Sequence, residues 1–259
     1  MKNQYVKLAM DGTVCTVTIN RPPVNTLNKD LMAELTSVFT DLASRSNLRI
    51  VVLTGHGQKA FVAGADISEV KNLSGDEAKT FSAQGQSMTK AIAGCPVPVI
   101  CAINGVALGG GCEIALACDI RIMVKDAVIG LPEASLGLLP GAGGTQRLPR
   151  LIAPGKAKLL LFTATPITAS EAQKCGLVDK VVPRDDLMET CLSLARKIAE
   201  NGPLAVKAIK LLVQKSFELE QEHGMSMEQN EFGKLCDSKD KLEGINAFFE
   251  KRKPVYDGK

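Results

Sequence analysis

The chain has 259 residues, 45% of them hydrophobic and 23% charged, the proportions of a globular protein built as one large domain or as a domain with a helical appendage. A net charge of +3, from 31 basic and 28 acidic residues, with no basic face interleaved with aromatics, argues against a nucleic-acid partner. Every long apolar run is broken by Gly, Pro or a charge, so no membrane span is expected. Aromatics are 4% and Trp is absent, which leaves the core to aliphatic side chains. The eight cysteines form no CxxC pair and read as small buried hydrophobes of a reduced, cytoplasmic protein. The opening MKNQYVKLAMDG runs straight into a strand pattern, without the apolar core of a signal peptide or an Arg/Ser-rich presequence.

In chain order, residues 13–20 (TVCTVTIN) alternate β-branched and small side chains and predict a strand, ended at Arg21-Pro22-Pro23 because Pro removes a ladder donor. Asn28 caps a predicted helix to about Ala43, with Leu31, Leu35, Val38, Phe39 and Leu42 on one face. The continuous apolar run 50–54 predicts a buried strand, and strand–helix–strand in this order predicts a parallel crossover. Residues 55–70 (GHGQKAFVAGADISEV) lack a period and read as a Gly- and Ala-rich loop leading into a short helix, either a plain surface loop or one whose backbone N–H groups approach a ligand. A helix at 76–93 (Ala78, Phe81, Met88 and Ile92 on one face) closes at Gly94. Then come a strand at 99–104, a short helix at 112–118 opened by the GGG run, and strands at 119–124 and 127–130. This makes the N-terminal two-thirds α/β. Beyond 140, helices are predicted at 145–152, 155–163, 170–175, 185–200, 203–218, 227–235 and 239–252, with one last strand at 177–182. No internal repeat is visible.

The chemistry concentrates in residues 104–147, which hold nine of the 23 glycines and two isolated glutamates. Glu113 in GGGCEIALAC and Glu133 in VIGLPEASLG each lie among apolar and small residues, where a glutamate seldom sits unless it is paired or working. Glu133, after Pro132, could equally cap a turn. Two carboxylates in one apolar cavity shift each other's pKa, so that one gives a proton while the other takes one. Gly110, at a helix start three residues before Glu113, offers a backbone N–H to a developing oxyanion, and Ala65 in the VAGADI loop is the natural second donor. The implied chemistry is stabilisation of an enolate derived from a carbonyl compound. Rival motifs fail. GLLPGAGGT lacks the Lys of a Walker loop, ALGGGCEI lacks the third Gly of a dinucleotide fingerprint, and Glu133 replaces the first Gly of a nucleophile elbow around Ser135. His56 and His223 have no metal-ligand spacing, so no metal site is expected, and His56 reads as a solvated surface residue. The second glycine run, PGAGGT, reads as a structural turn that starts the next helix.

The stretches IVVLTGHGQKAFVAGADISEV, PVPVICAINGVALGGGCEIALACDIRI, IGLPEASLGLLPGAGGTQRLPRLI and AFFEKRKP together resemble the crotonase superfamily over essentially the whole chain, and most of all its bacterial short-chain enoyl-CoA hydratases, or 3-hydroxybutyryl-CoA dehydratases. The resemblance implies an α/β fold with a repeated ββα spiral core of the ClpP/crotonase-like type at 1–195, carrying the active site. It also implies a C-terminal helical region at 196–259 for trimerisation and as a CoA lid. Ala65 and Gly110 would form the oxyanion hole. Glu113 would hold and deprotonate water, and Glu133 would protonate the α carbon. The backbones of Ala63, Asp66 and Ile67 would meet the adenine, while Phe248 and Lys251 would reach the CoA of a neighbouring subunit. The substrate would be an acyl-CoA thioester with no other cofactor, and the assembly a trimer or a dimer of trimers. One departure stands out: Leu131 occupies the place where many short-chain hydratases carry Gln before the PE step, which bears on chain length and isomerase side-activity. Δ3-Δ2 isomerases of the superfamily commonly keep the Glu133 position and lose that of Glu113. Retention of both points to hydration, ahead of isomerisation or of a non-catalytic CoA- or RNA-binding member.

Overall fold

The computed structural model describes residues 4–259, so Met1 to Asn3, at the head of the expected first strand, lie outside the description. Strand β1 (Val6–Asp11) pairs antiparallel with β2 (Val14–Ile19). Helix α1 (Lys29–Ala43) starts where its cap predicts, with Asn28 Oδ1 accepting the Leu31 N–H at 3.0 Å, a cap of the kind that contributes about 1 kcal/mol. Its five predicted apolar residues are all buried, joined by Met32. It returns the chain to β3 (Ile50–Gly55), which lies parallel to β2 as the crossover requires.

From β3 the chain repeats one pattern three times: a strand in a large sheet, a short strand in a small sheet, then helix. The first unit is β3, β4 (Ala60–Val62), α2 (Ile67–Val70) and α3 (Gly75–Ala93). The second is β5 (Val99–Ile103), β6 (Val106–Leu108) and α4 (Gly110–Ala117). The third is β7 (Ile120–Val124), β8 (Val128–Gly130), a 3₁₀ turn at Glu133–Leu136 and α5 (Gly144–Leu151). After α6 (Pro154–Thr163), β9 (Ile167–Thr168), α7 (Ala169–Lys174) and β10 (Lys180–Val182) complete two sheets. The large one runs β1-β2-β3-β5-β7-β10, parallel except for β1. The small one runs β4-β6-β8-β9, parallel except for β9. This is a spiral of ββα units.

Most predicted elements are found close to their expected bounds; the helix expected at 227–235 begins at Gln221, the last strand is only Lys180–Val182, and the small sheet departs most. Strands β4 and β6 fall in stretches expected as loop and turn. Each has three residues, too few for alternation to show, and each is held by the other rather than by its own pattern. Contact between the layers is close: a Cβ on Gly111 of α4 would collide with the Val62 carbonyl of β4. The large sheet is buried throughout β3 and β5, with α8 (Leu187–Ala199) packed on β3, β5 and β7.

The expected boundary at 195/196 falls inside α8, whose Cys191 and Ala195 are buried. Helices α9 (Pro203–Lys215), α10 (Gln221–Cys236) and α11 (Lys239–Phe249) follow and leave Ile209, Val213, Phe217, Phe232, Phe248 and Phe249 exposed. Lys210 of α9 ties this tail to the core, its Nζ donating to Asp119 at 2.7 Å and to the Val97 carbonyl at 3.0 Å. All eight cysteines are free; six are buried, Cys175 is half-buried and Cys236 is exposed. No helix among the described residues is long and apolar enough to cross a membrane.

Asn25 joins the loop after β2 to the small sheet. Its side-chain amide donates to the carbonyls of His56, Ala60 and Phe61 at 3.1–3.2 Å, its Oδ1 accepts the Arg21 N–H at 3.0 Å, and its φ is +57°. Asn25→Ala strips the carbonyls of His56, Ala60 and Phe61 of a donor, the last two in buried bonds, and leaves a residue poorly suited to that φ. It is expected to lower unfolding free energy by about 2–4 kcal/mol, read as a shift of the urea midpoint. A change within about 0.5 kcal/mol, ordinary for a surface substitution, contradicts this role.

Candidate active site

Helix α4 is the axis of the site. Gly109 caps it with φ +52° and ψ −121°, a conformation closed to residues with a side chain, and its N–H donates to the Gly130 carbonyl at 2.9 Å. That bond sets the start of α4 beside the end of β8, from which Glu133 follows at the head of the 3₁₀ turn. A Cβ at Gly109 would stand 3.0 Å from Glu133 Oε1. The Gly110 N–H, in the first turn of α4, has no acceptor among the described residues, as the geometry of a helix start dictates.

The VAGADI loop meets this helix start from β4. Leu27 N–H donates to the Gly64 carbonyl at 2.8 Å and Asp66 N–H to the Leu27 carbonyl at 2.7 Å. These two bonds bracket Ala65 and leave its N–H without an acceptor among the described residues. Leu27 also closes on Gly110, where an added Cβ would fall 2.6 Å from its Cδ1. Two unpaired backbone N–H groups, from Ala65 and Gly110, therefore line one cavity of about 400 Å³ together with Glu113 and Glu133. Most of the remaining wall is apolar, including Met32, Phe81, Met88, Leu108 and Leu138. Ala78 and Phe81 of α3 also line this cavity, Ala78 exposed and Phe81 half-buried against the core; the buried residues of that helix are Gly85, Met88, Thr89 and Ile92.

The two acids differ in environment. Glu113 is 3% exposed, and its Oε1 accepts two backbone N–H groups, from Ala142 at 2.7 Å and Gly144 at 2.8 Å. Burial pushes its pKa up, while those two N–H groups and the Arg147 charge oppose the rise. Glu133 has less support, a single backbone hydrogen bond from its own residue. Its Oε2 is buried without a hydrogen-bond partner, and burial, aided by the Glu113 charge, pushes its pKa up to about 7. One acid thus has its carboxylate form solvated by fixed donors, and the other keeps a proton near neutrality.

The PGAGG turn is more than the structural turn expected of it. It does start α5 at Gly144, and it also supplies both donors to Glu113. The signal was a glycine run at a helix start, which marks available N–H groups without saying where they point. A Cβ on Gly144 would press on Pro140, on Glu113 Cγ and on Leu131, which is buried in the wall behind the acid. A second cavity, of about 500 Å³, lies beyond this turn, lined by Gln86, Thr89, Lys90, Arg147, Arg150 and Gln214 among others; it touches neither glutamate of the first.

Of the remaining expected site residues, Ala63 and Ile67 line the first cavity. Asp66 does not; its carboxylate pairs with Arg21 at 2.8 Å and caps α2 through Ser68, which holds its pKa down. Phe248 and Lys251 are exposed at the end of α11, and neither lines this cavity in the same chain. His56 is exposed, and no group of three or more His, Cys, Asp or Glu among the described residues could hold a metal ion.

A spiral of ββα units with two acids and two free amides in one apolar cavity defines the crotonase class of fold and site. Residues 9–259 match the profile of the enoyl-CoA hydratase/isomerase family, and the chain belongs to that family. It is 44% identical to the short-chain-enoyl-CoA hydratase of Clostridium acetobutylicum over 98% of this chain and 97% of that one. It is 42% identical to the crotonyl-CoA hydratase of Syntrophomonas wolfei over 99% of each. Among solved structures, an enoyl-CoA hydratase from Bacillus anthracis superposes with a TM-score of 0.96 at 41% identity, covering 99% of this chain and all of the other.

The Glu133 environment has a consequence for stability. Between the ordinary glutamate pKa of 4.5 and about 7, the folded chain keeps a proton that the unfolded chain has lost. Stability therefore falls as pH rises through that window, by about 2 kcal/mol once solvent screening of this half-buried side chain is allowed for. Glu133→Gln is expected to raise the thermal midpoint above that of the unmodified protein at pH 8 and to leave it nearly unchanged at pH 4.5. An equal gain at both pH values would rule out titration of Glu133 as the cause.

Proposed function

We propose that this chain is an enoyl-CoA hydratase, which adds water reversibly and syn across the double bond of a trans-2-enoyl-CoA to give the 3-hydroxyacyl-CoA. The observation that carries the reading is the lining of one apolar cavity by two unpaired N–H groups, a donor-held carboxylate and a proton-keeping acid. The thioester carbonyl oxygen is received between the N–H groups of Ala65 and Gly110. Their hydrogen bonds strengthen as that oxygen gains charge, so they favour the enolate over the ground state. Glu113, ionised, takes a proton from water as the water oxygen bonds to the β carbon, and the π electrons move through the α carbon onto the carbonyl oxygen. Glu133 then gives its proton to the α carbon, restoring the carbonyl. The product gains one water, Glu113 ends protonated and Glu133 ionised, and proton exchange with solvent resets both. The reverse sequence dehydrates the 3-hydroxyacyl-CoA.

The names of the relatives from Clostridium acetobutylicum and Syntrophomonas wolfei support this substrate class. Isomerisation of a 3-enoyl-CoA shuttles one proton and needs one acid. The two N–H groups committed to Glu113 favour a reaction that uses both acids. The reaction draws on no cofactor beyond the thioester itself. In the proposed binding mode, Ala63, Asp66 and Ile67 face the adenine through their backbones. Phe248 and Lys251, exposed at the end of the helical tail, reach the CoA of a neighbouring copy in a trimer or dimer of trimers, and the exposed apolar residues of α9–α11 supply the contact. The core at 1–195 carries the chemistry, the helices from 196 carry assembly, and the compartment is the cytoplasm.

Purified protein is expected to remove the enoyl absorbance of crotonyl-CoA, and a panel from C4 to C16 would set the preferred chain length. No decay at millimolar substrate refutes the assignment. Glu113→Gln and Glu133→Gln are each expected to lower kcat by on the order of 10²–10⁴-fold. Near-unmodified hydration by either variant removes that residue from the mechanism. Hydration needs Glu133 protonated, so kcat/KM for hydration should fall as pH rises past about 7. A profile flat to pH 9 would contradict that role.

A further inference from the structure

Glu113 is held by peptide groups, and those peptide groups are held in turn. The Gly141–Ala142 peptide donates its N–H to Glu113 Oε1 at 2.7 Å, while its carbonyl accepts Ser82 Oγ at 2.7 Å and Gln86 Nε2 at 3.1 Å. The next carbonyl, that of Ala142, accepts Thr89 Oγ1 at 2.8 Å and an Arg147 guanidinium N–H at 3.2 Å, and the same guanidinium donates to Thr89 Oγ1 at 3.2 Å. Ser82, Gln86 and Thr89 are spaced four and three residues apart on α3 and so share one face. Gly85 lies among them, and a Cβ there would come within 3.1 Å of Ala142 Cβ. A helix face stripped of bulk thus lies against the turn and binds two successive carbonyls. The first is in the same peptide as the Ala142 N–H and the second is one peptide before the Gly144 N–H, the two groups directed at the carboxylate.

We infer that Ser82 and Thr89 of α3, with Arg147 of α5, are positioning residues for Glu113: they fix the 141–144 turn so that its two N–H donors converge on one carboxylate oxygen. The inference rests on the proposed role of Glu113 as the group that activates water. Donors on the Gly141 carbonyl also polarise the Gly141–Ala142 peptide, which strengthens the hydrogen bond that its N–H makes to Glu113. Arg147 adds a half-buried positive charge behind the turn. The titratable groups that act on Glu113 or respond to it are Glu133 on the cavity side, Arg147 behind the turn and the buried Cys112 thiol on α4 itself; the buried Arg121 acts on that thiol in turn. Of these only Arg147 stabilises the ionised form of Glu113.

Thr89→Val keeps shape and removes the hydroxyl, Thr89→Ser keeps the hydroxyl, and Ser82→Ala tests the other carbonyl at a less buried position. The expected result for Thr89→Val and Ser82→Ala is a fall in kcat on the order of 10-fold, by misalignment of the base, with KM for crotonyl-CoA within about twofold and Thr89→Ser close to the unmodified enzyme. The acid limb of the hydration profile should move to higher pH, because donors to the charged form hold the pKa down. The ¹³C titration of the Glu113 carboxyl, assigned by its loss in Glu113→Gln, should move the same way. It reads the clamp whether or not the protein hydrates any enoyl-CoA, so failure of the functional assignment and failure of this inference are separable. Unchanged acid limb and unchanged ¹³C titration in folded Ser82→Ala overturn the inference. So does a loss of activity in Thr89→Val that Thr89→Ser shares.

Discussion

The bond pair from the Ala142 and Gly144 amides to one oxygen of Glu113 is the constraint around which this molecule is arranged. A carboxylate at 3% exposure is costly without compensation, and the compensation here comes from the backbone of a turn 30 residues away in sequence. To deliver it, α4 must lie against both β4 and the 141–144 turn, which is why Gly111 and Gly144 leave no room for a side chain. The same closeness brings Gly110 to Leu27 and sets the free amide of α4 beside that of Ala65. Glu133 arrives through the Gly109–Gly130 bond. Its unpartnered Oε2 is what remains when one acid receives both donors of the turn.

The contrast between the two acids follows from hydrogen bonding more than from depth. Glu113 is the deeper of the two, and burial raises the pKa of both. Two N–H donors from the turn and the Arg147 charge oppose the rise at Glu113, while Glu133 has only its own backbone N–H. Two different environments for one residue type are thereby produced in one cavity, largely by backbone placement. Rigid elements supply every part of that placement: two helix starts, a strand end and a turn clamped by α3. The exposed apolar residues of the C-terminal helices belong to a different layer of organisation, joined to the core through Lys210 and Gln214 of α9 among others.

The two acids and the two residues with free N–H groups, Ala65 and Gly110, were legible in the linear chain because isolated glutamates and glycine runs stand out against apolar surroundings. Asn28, Gly94 and the buried face of α1 were legible for the same kind of local reason, a cap or a 3.6-residue period. The small sheet was not, since β4 and β6 are three-residue strands that exist only through each other. The repeated ββα units were reached only through the family resemblance, since they share a path through space without sharing residues. Asn25 was missed because its role is to satisfy three carbonyls that only the folded chain brings together.

By itself, then, the sequence determined where the chemistry could reside: helix α4 with its open N-terminus, the acids at 113 and 133, the amide of Ala65, and the family to which the motifs belong. The tertiary structure alone decided which amides would be left free and which would be spent. The N–H groups of Ala142 and Gly144 went to Glu113, those of Ala65 and Gly110 stayed unpaired, and Glu133 was left to hold a proton. The physical reason is that hydrogen-bond partners and desolvation are properties of neighbours in space. A glycine run announces donors, and only the fold can aim them.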